Sequence, residues 1–480
     1  MPDSSPGSPD PRTTVAERAA RIRFRRALSL MAMTLVAPGS AQLTAGNRRV
    51  GRAALYTWIG FWTLVAVALV AVLVDRALVF TLASSTLLLL VVRVALLVGA
   101  VAWAVLFMDS WRLGQPLSLG LAHRRAVVGV NGLLSLSVAG SLLFGAHVVA
   151  VQRDFILTMF GSDTVVDAHH GRYNVLLMGG DSQTGRFGMR PDSMTVASID
   201  EVTGRTVLVS LPRNMTNFPF AEGSVMAEQF PDGFDADMLN GVSTWADDHA
   251  ELFGESETPG IDATISAVEG ITGLGINYWA MVNLQGFKDL VDAVGGIELT
   301  VRQPIPVGLP YEDFFHYIEP GTRRLNGFET LWYARARHDS DDYSRMARQK
   351  CVMNAMLQQV SPQVAVRNFE QIAAASSELM STNLPASELD TFMTLALKAK
   401  SQKISTLSLV PPLVNTGAPD IDLIHGKVEQ TIAKADGTAE AKPKKKAKKK
   451  TDSGPVTGGS LGSLSEGYEA NQAGDLSTAC

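Results

Sequence analysis

The sequence predicts an α/β domain with a mixed central sheet flanked by helices, preceded by an α-helical membrane module of about three spans. Three observations carry this. Hydrophobic residues fill 46% of the 480 positions and crowd before residue 152. After residue 172, short apolar runs ending in glycine or proline alternate with stretches of helical period. From residue 433 onward the chain turns Lys-rich and then Gly/Ser-rich, the composition of a disordered tail.

The elements follow in order. Residues 1–26 are polar and then basic, with Arg18, Arg21, Arg23, Arg25 and Arg26, and read as a disordered cytoplasmic N-terminus. The next apolar run is short and stops at Pro38-Gly39. A secretory signal peptide opens similarly, but here more apolar segments follow at once. Runs at about residues 53–74, 77–108 and 126–151 reach the roughly 20 residues a bilayer requires. Basic residues orient them. The N-terminal arginines, the Arg48-Arg49 and Arg52 loop, and Arg112 with His123-Arg124-Arg125 belong on the cytoplasmic side. The first two groups then share a side, so residues 27–46 are expected to dip in and return. Within the membrane module of residues 27–152, three crossings remain. The expected location is the cell membrane, multi-pass, with everything beyond residue 152 on the extracellular side.

Residues 153–171 read as a linker and 172–432 as the main domain. Residues 173–180, 193–199, 206–211 and 297–301 are apolar strand candidates, with a hairpin turn over 200–205. Residues 262–273, 284–294, 328–336 and 344–360 have helical period. The two cysteines, Cys351 and Cys480, provide neither a disulfide framework nor metal-ligand spacing, and Cys351 reads as a packing residue. The run from Lys442 to Lys450 is a solvating tail or a binder of anionic wall polymer or lipid headgroups. The net charge of −5 excludes little. A basic tail outside the membrane argues against a nucleic-acid partner.

Acids and arginines gather near predicted strand ends and turns. Asp181 follows Gly179-Gly180, and Arg190-Pro191-Asp192 precedes the next strand. Arg213 closes the third, and Arg335, Arg337, Arg345 and Gln349 come much later. Ligands of open α/β sheets sit at the carboxyl ends of strands. Arginines at alternate positions of an extended segment point the same way, and converging guanidinium forks suit a phosphate or diphosphate. Carboxylates among them suit Mg²⁺. Taken alone, these features define an anion-binding α/β domain.

The order of segments then resembles the LytR-CpsA-Psr family. Asn174-Val175-Leu176-Leu177-Met178-Gly179-Gly180-Asp181, Arg190-Pro191-Asp192-Ser193-Met194 and Ser210-Leu211-Pro212-Arg213 look like its opening signature. Asn283-Leu284-Gln285-Gly286-Phe287 and Val291-Asp292-Ala293-Val294-Gly295-Gly296-Ile297 fit its middle. The stretch from Leu325 to Arg337 and Arg345-Met346-Ala347-Arg348-Gln349 match its close. The resemblance implies a membrane-anchored phosphotransferase. Its partners would be a polyprenyl diphosphate-linked glycopolymer, the peptidoglycan acceptor and the membrane. It places magnesium on Asp181 and Asp192, and the diphosphate on Arg190, Arg213, Arg335, Arg337, Arg345 and Gln349. Asp181, Asp192, Arg213 and Arg337 are then the catalytic candidates. Two departures stand out, Asn214 where relatives often carry Asp and Pro191 where they often carry Ser. A lipid tail would require an apolar groove, for which Phe287–Val294 and residues 353–360 are candidates. The alternatives are a polyprenyl diphosphate phosphatase and a non-catalytic lipid-binding regulator or scaffold.

Overall fold

The structure, a computed structural model, describes residues 11–74, 78–160, 164–180, 190–337, 340–359, 380–438, 462–463 and 467–480. The chain divides into two compact units, Met1–Asp154 and Phe155–Cys480.

The first unit is helical: α1 (Pro11–Val36), α2 (Ser40–Ala45), α3 (Arg48–Val74), α4 (Leu78–Ser84), α5 (Thr86–Leu113) and α6 (Leu121–Met159). Three of its helices are long and apolar enough to cross a membrane. The details refine the sequence expectation at four places. Residues 11–26, read as disordered, belong to α1, since no glycine or proline interrupts Arg12–Val36. The expected dip over 27–46 is the end of α1, a turn at Pro38-Gly39 with Gly39 at φ 95°, and the short α2. A side chain at Gly39 would strike the Gly51 carbonyl, so the two glycines let α2 and α3 approach closely. The expected span at 77–108 is split, because Ser85 breaks the run and its hydroxyl caps Leu88 N at 3.3 Å. Finally, α6 runs through the first part of the expected linker.

In the second unit, a six-stranded sheet has the order β10-β3-β2-β1-β4-β9. Its strands are β1 (Arg172–Gly180), β2 (Pro191–Asp200), β3 (Thr206–Leu211), β4 (Tyr278–Asn283), β9 (Met380–Thr382) and β10 (Ser405–Ser408). β1 pairs antiparallel with β2 and parallel with β4, and β3 pairs parallel with β10, so the sheet is mixed. Two ribbons add β5 (Ile297–Val301) with β8 (Gly321–Leu325), and β6 (Ile305–Val307) with β7 (His316–Ile318). Between the strands lie α7 (Val225–Gln229), α8 (Val242–Asp248), α9 (Pro259–Thr272), α10 (Leu284–Ala293), α11 (Gly327–Arg335) and α12 (Asp342–Gln359). α13 (Leu389–Lys400), α14 (Ile421–Asp436) and α15 (Glu469–Gln472) follow.

Alternation along the strands makes two environments. Leu176, Met178, Val196 and Val207 pack with Ala267 and Ile271 of α9 and Ile424 and Val428 of α14 in the main core. A second core joins β5, β6 and β8 to α11 and α12.

The C-terminus departs from the disordered tail expected over 433–480. α14 continues to Asp436, and residues 470–480 pack on α12 and β10. Cys351 of α12 is joined to Cys480, which corrects the reading of two unpaired cysteines. They are separated by 129 residues, a pairing that sequence spacing does not expose. Backbone bonds Thr406 N to Gly474 O and Leu476 N to Ile404 O add to this seam. The Lys442–Lys450 run lies outside the described residues.

Candidate functional site

A cavity of about 870 Å³ opens on the face of the sheet opposite the main core. Its floor is Leu177, Ser193, Thr195, Leu208, Ala280 and Val282, strand positions adjacent to the core-facing ones. Phe287 and Leu290 of α10 and Met353, Met356 and Leu357 of α12 form apolar walls. Both segments named as groove candidates thus line it. Its size falls toward the upper end of the roughly 300–1,000 Å³ usual for ligand sites.

One end is charged. The antiparallel β2 begins where β1 and β3 finish, so Asp192 and Arg213 meet at the carboxyl ends of β1, β3 and β4. Arg213 Nη1 donates to Asp192 Oδ1 at 2.6 Å, and its Nε donates to Asp342 Oδ2 at 2.7 Å. Arg345, from the first turn of α12, donates from Nη2 to the Asp192 carbonyl at 3.1 Å. Its Nη1 and Nη2 lie 3.8 Å from Asp192 Oδ1 and 3.7 Å from Asp342 Oδ2. Arg337 Nη1 is 3.6 Å from Asp342 Oδ1. The Arg345 side chain is only 3% exposed, and its Nε is buried with no hydrogen-bond partner. Burial pulls the Arg345 guanidinium down to about 10, against the pull of Asp342 and Asp192. For Arg213, burial also acts downward, but the hydrogen bonds it donates to Asp342 and Asp192 raise it overall.

Asp342 is the residue to which sequence reasoning gave no role. Burial works to raise its carboxyl, yet the Arg213 hydrogen bond and the fields of Arg345, Arg213 and Arg337 hold it below the ordinary range. The available signal was its place as the first residue of α12, where a helix N-terminus favours an acid. Asp341 beside it caps Ser344 N at 2.8 Å.

The other expected residues fall in different places. Arg335 ends α11, lines the cavity and sits 5.3 Å over the Trp332 ring rather than beside Asp342. Gln349 also lines the cavity. Because Arg335 is helical, it and Arg337 are not alternate residues of one extended segment, as expected. Arg190 is exposed, pairs with Asp237 at 2.5 Å, and is not a cavity residue. Asn214 reaches Tyr343 Oη at 3.5 Å. Arg348, 1% exposed, donates to the carbonyls of Tyr333 (2.8 Å) and Ala336 and so ties the end of α11 to α12.

Asp181 lies outside the described residues. Gly180, which precedes it, pairs with Pro191, which precedes Asp192. Among the described residues no group of three His, Cys, Asp or Glu is placed to hold a metal. Asp192, one-third exposed, still fits as one carboxylate of an incomplete set, since Mg²⁺ is commonly held by one or two carboxylates plus phosphate oxygens.

Comparisons with known proteins agree on this domain. Biofilm regulatory protein A of Streptococcus mutans is 27% identical over 266 residues, covering 54% of this chain and 61% of that protein. A polyisoprenyl-teichoic acid–peptidoglycan teichoic acid transferase TagU of Bacillus cereus is 26% identical over 231 residues, covering 48% of this chain and 66% of its own length. The chain therefore spans somewhat under two thirds of these relatives. The crystal structure of B. subtilis TagV is 25% identical, covers 56% of this chain and 98% of that one, and gives a TM-score of 0.40. The profile of the LytR_cpsA_psr family matches residues 151–434, more than half of the chain. The chain belongs to the LytR_cpsA_psr family.

Proposed function

We propose that this protein moves a glycopolymer from a polyprenyl diphosphate carrier to peptidoglycan, outside the membrane in which its apolar helices anchor it. The observation that carries the reading is the union of a largely apolar cavity with an arginine-rich end. An amphiphile with a hydrocarbon tail and an anionic head satisfies both parts, whereas a soluble sugar phosphate would leave the apolar walls unused. The similarity to the Bacillus cereus polyisoprenyl-teichoic acid–peptidoglycan teichoic acid transferase supports the same substrate class. The Cys351–Cys480 disulfide supports the extracytoplasmic side, where disulfides persist.

In the proposed reaction an acceptor sugar hydroxyl attacks the phosphorus nearest the glycopolymer. A new P–O bond forms, the bond to the bridging oxygen breaks, and polyprenyl phosphate leaves with that electron pair. The hydroxyl proton passes to a carboxylate, Asp192 or Asp181. Arg337 and Arg335 hold the outer phosphate oxygens, and the unpaired Nε of Arg345 provides a further buried donor. Arg213, braced between Asp192 and Asp342, fixes the carboxylate beside the reacting phosphate. Mg²⁺, held by Asp192 and Asp181, would neutralise phosphate charge when bound.

The test is mass spectrometry of lipid that co-purifies with the full chain, followed by product analysis with and without acceptor. Polyprenyl phosphates in the extract and acceptor-dependent transfer are expected. Equal phosphate release without acceptor would instead make the protein a phosphatase. An extract free of prenyl lipid would sink the reading.

A further inference from the structure

The β6–β7 hairpin holds an apolar surface that the proposed chemistry does not use. Its loop exposes Tyr311 (81%) and Phe314 (48%), with Tyr317 exposed on β7 and Phe328 at the start of α11. The rings are connected. Phe314 packs on Phe328 at 5.9 Å, and Phe328 on Trp332 at 6.4 Å. Trp332 carries the Arg335 guanidinium. The inner side of the same hairpin, at Pro306, Gly308 and Leu309, lines the cavity. One element thus forms a cavity edge on one side and an exposed aromatic face on the other.

We propose that this hairpin docks the domain on the lipid bilayer, as the edge over which a membrane-borne lipid enters the cavity. The inference rests on the carrier reading above. Three features favour lipid as occupant. Exposed Phe and Tyr side chains are at home in the interfacial zone of a bilayer. Their surface is continuous with the apolar cavity. The same chain carries three helices long and apolar enough to cross a membrane, so a bilayer belongs to its surroundings. Charge does not drive the contact. Asp313 and Glu319 are exposed beside the rings, while Glu312 is engaged in accepting Leu309 N at 2.6 Å. Docking should therefore occur on zwitterionic lipid and resist salt.

The native cysteines are joined to each other, so Tyr311→Cys introduces a single reactive thiol for an environment-sensitive fluorophore. The full-length protein is placed in phosphatidylcholine vesicles containing doxyl-labelled phosphatidylcholine. Val202→Cys, exposed at the β2–β3 turn, is the control. Quenching at 311 well above that at 202, unchanged in high salt, is expected. Equal quenching at both positions would overturn the proposal. So would a label at 311 that ignores lipid but responds to soluble peptidoglycan fragments, because the rings would then be a sugar platform. A double variant, Tyr311→Ser with Phe314→Ser, should lower transfer from a full-length membrane carrier about tenfold by removing two apolar anchors. It should spare transfer from a short water-soluble carrier. Equal loss on both carriers would count against docking. Quenching without transfer on either carrier in the unsubstituted protein would keep the docking and dismiss the transferase reading.

Discussion

Replacing Asp342 with Asn tests how the charged end is held. The carboxylate accepts Arg213 Nε at 2.7 Å and Arg213 Nη2 at 3.4 Å, and it lies 3.6 Å from Arg337 and 3.7 Å from Arg345. The hydrogen bond to a charged partner contributes about 1.5–3 kcal/mol. The longer contact to Arg337, which is half exposed and screened, adds under about 1 kcal/mol. Asp342→Asn should therefore cost about 2–4 kcal/mol and lower the melting temperature by roughly 3–6 °C at neutral pH. The sign with pH follows from the depressed carboxyl pKa. Stability from such a group is fully present above its unfolded value, about 4, and is lost as pH falls through the lower folded value. The melting difference between wild type and variant should thus shrink below about pH 4. Calorimetry of the full chain across pH 3–7 reads it. A difference that stays constant to pH 3 would refute the ion-pair account. Asp342 is not a cavity-lining residue, so it acts by positioning arginines. Turnover should fall about 100-fold, with a smaller change in carrier KM. Wild-type turnover in a variant that melts early would dismiss the positioning role.

Arg335→Ala and Arg337→Ala should each reduce transfer roughly 10²–10³-fold without loss of folding, with only partial rescue by Lys; normal transfer in both would end the phosphate-clamp reading. Burial pushes Lys350 down to about 8, where its Nζ faces the Ala470 carbonyl and the Thr406 hydroxyl. The unfolded chain then binds more protons between that value and the ordinary lysine range, so stability should rise with pH over this window and stay flat in Lys350→Met; parallel denaturant midpoints in the two proteins would contradict this. Reducing the Cys351–Cys480 bond, or replacing both cysteines with Ser, should cost roughly 4–5 kcal/mol for so long a loop, read as a lowered denaturant midpoint. A reporter active only outside the cell should work fused after Phe155 and fail fused at Ser118, and the reverse pattern would remove the enzyme from its acceptor.

Where a run is apolar and bounded by glycine, local sequence is enough. β1 ends on Gly179-Gly180, and β2, β3 and β5 fall where apolar runs meet turn residues. The same holds for α9 and α10, whose apolar residues recur with helical spacing, and for α11, which opens on the capping box of Asn326 and Glu329. Legibility fails where non-local contacts decide. Strands β9 and β10 are short edge strands completed by pairing with β4 and β3. The docked C-terminus depends on a disulfide between distant residues and on Arg302 donating to the Cys480 carbonyl at 2.8 Å. Ser85 shows the same limit at small scale, since one serine in an apolar run divides a helix by capping the next one.

The charged site was legible as a set of residue types, but not as a set of pairs. A sequence marks Arg213, Arg337 and Arg345 as phosphate ligands, yet in the fold their nearest counter-charges are Asp192 and Asp342. That pairing has a physical reason. Three guanidiniums converging beside an apolar cavity repel one another and are partly stripped of water, so they require anions before any ligand arrives. Among the described residues, two carboxylates stand against three arginines at this end, and Arg335 on the cavity wall adds a fourth cation. A diphosphate meets a prearranged but incompletely neutralised cluster and can bind without first prying apart a balanced salt bridge. Arg190, bound instead to the exposed Asp237, lacks that arrangement. Its share in any phosphate contact therefore requires breaking an existing ion pair, and Arg190→Ala should impair transfer less than Arg337→Ala; an equal loss in the two variants would place Arg190 in the clamp after all.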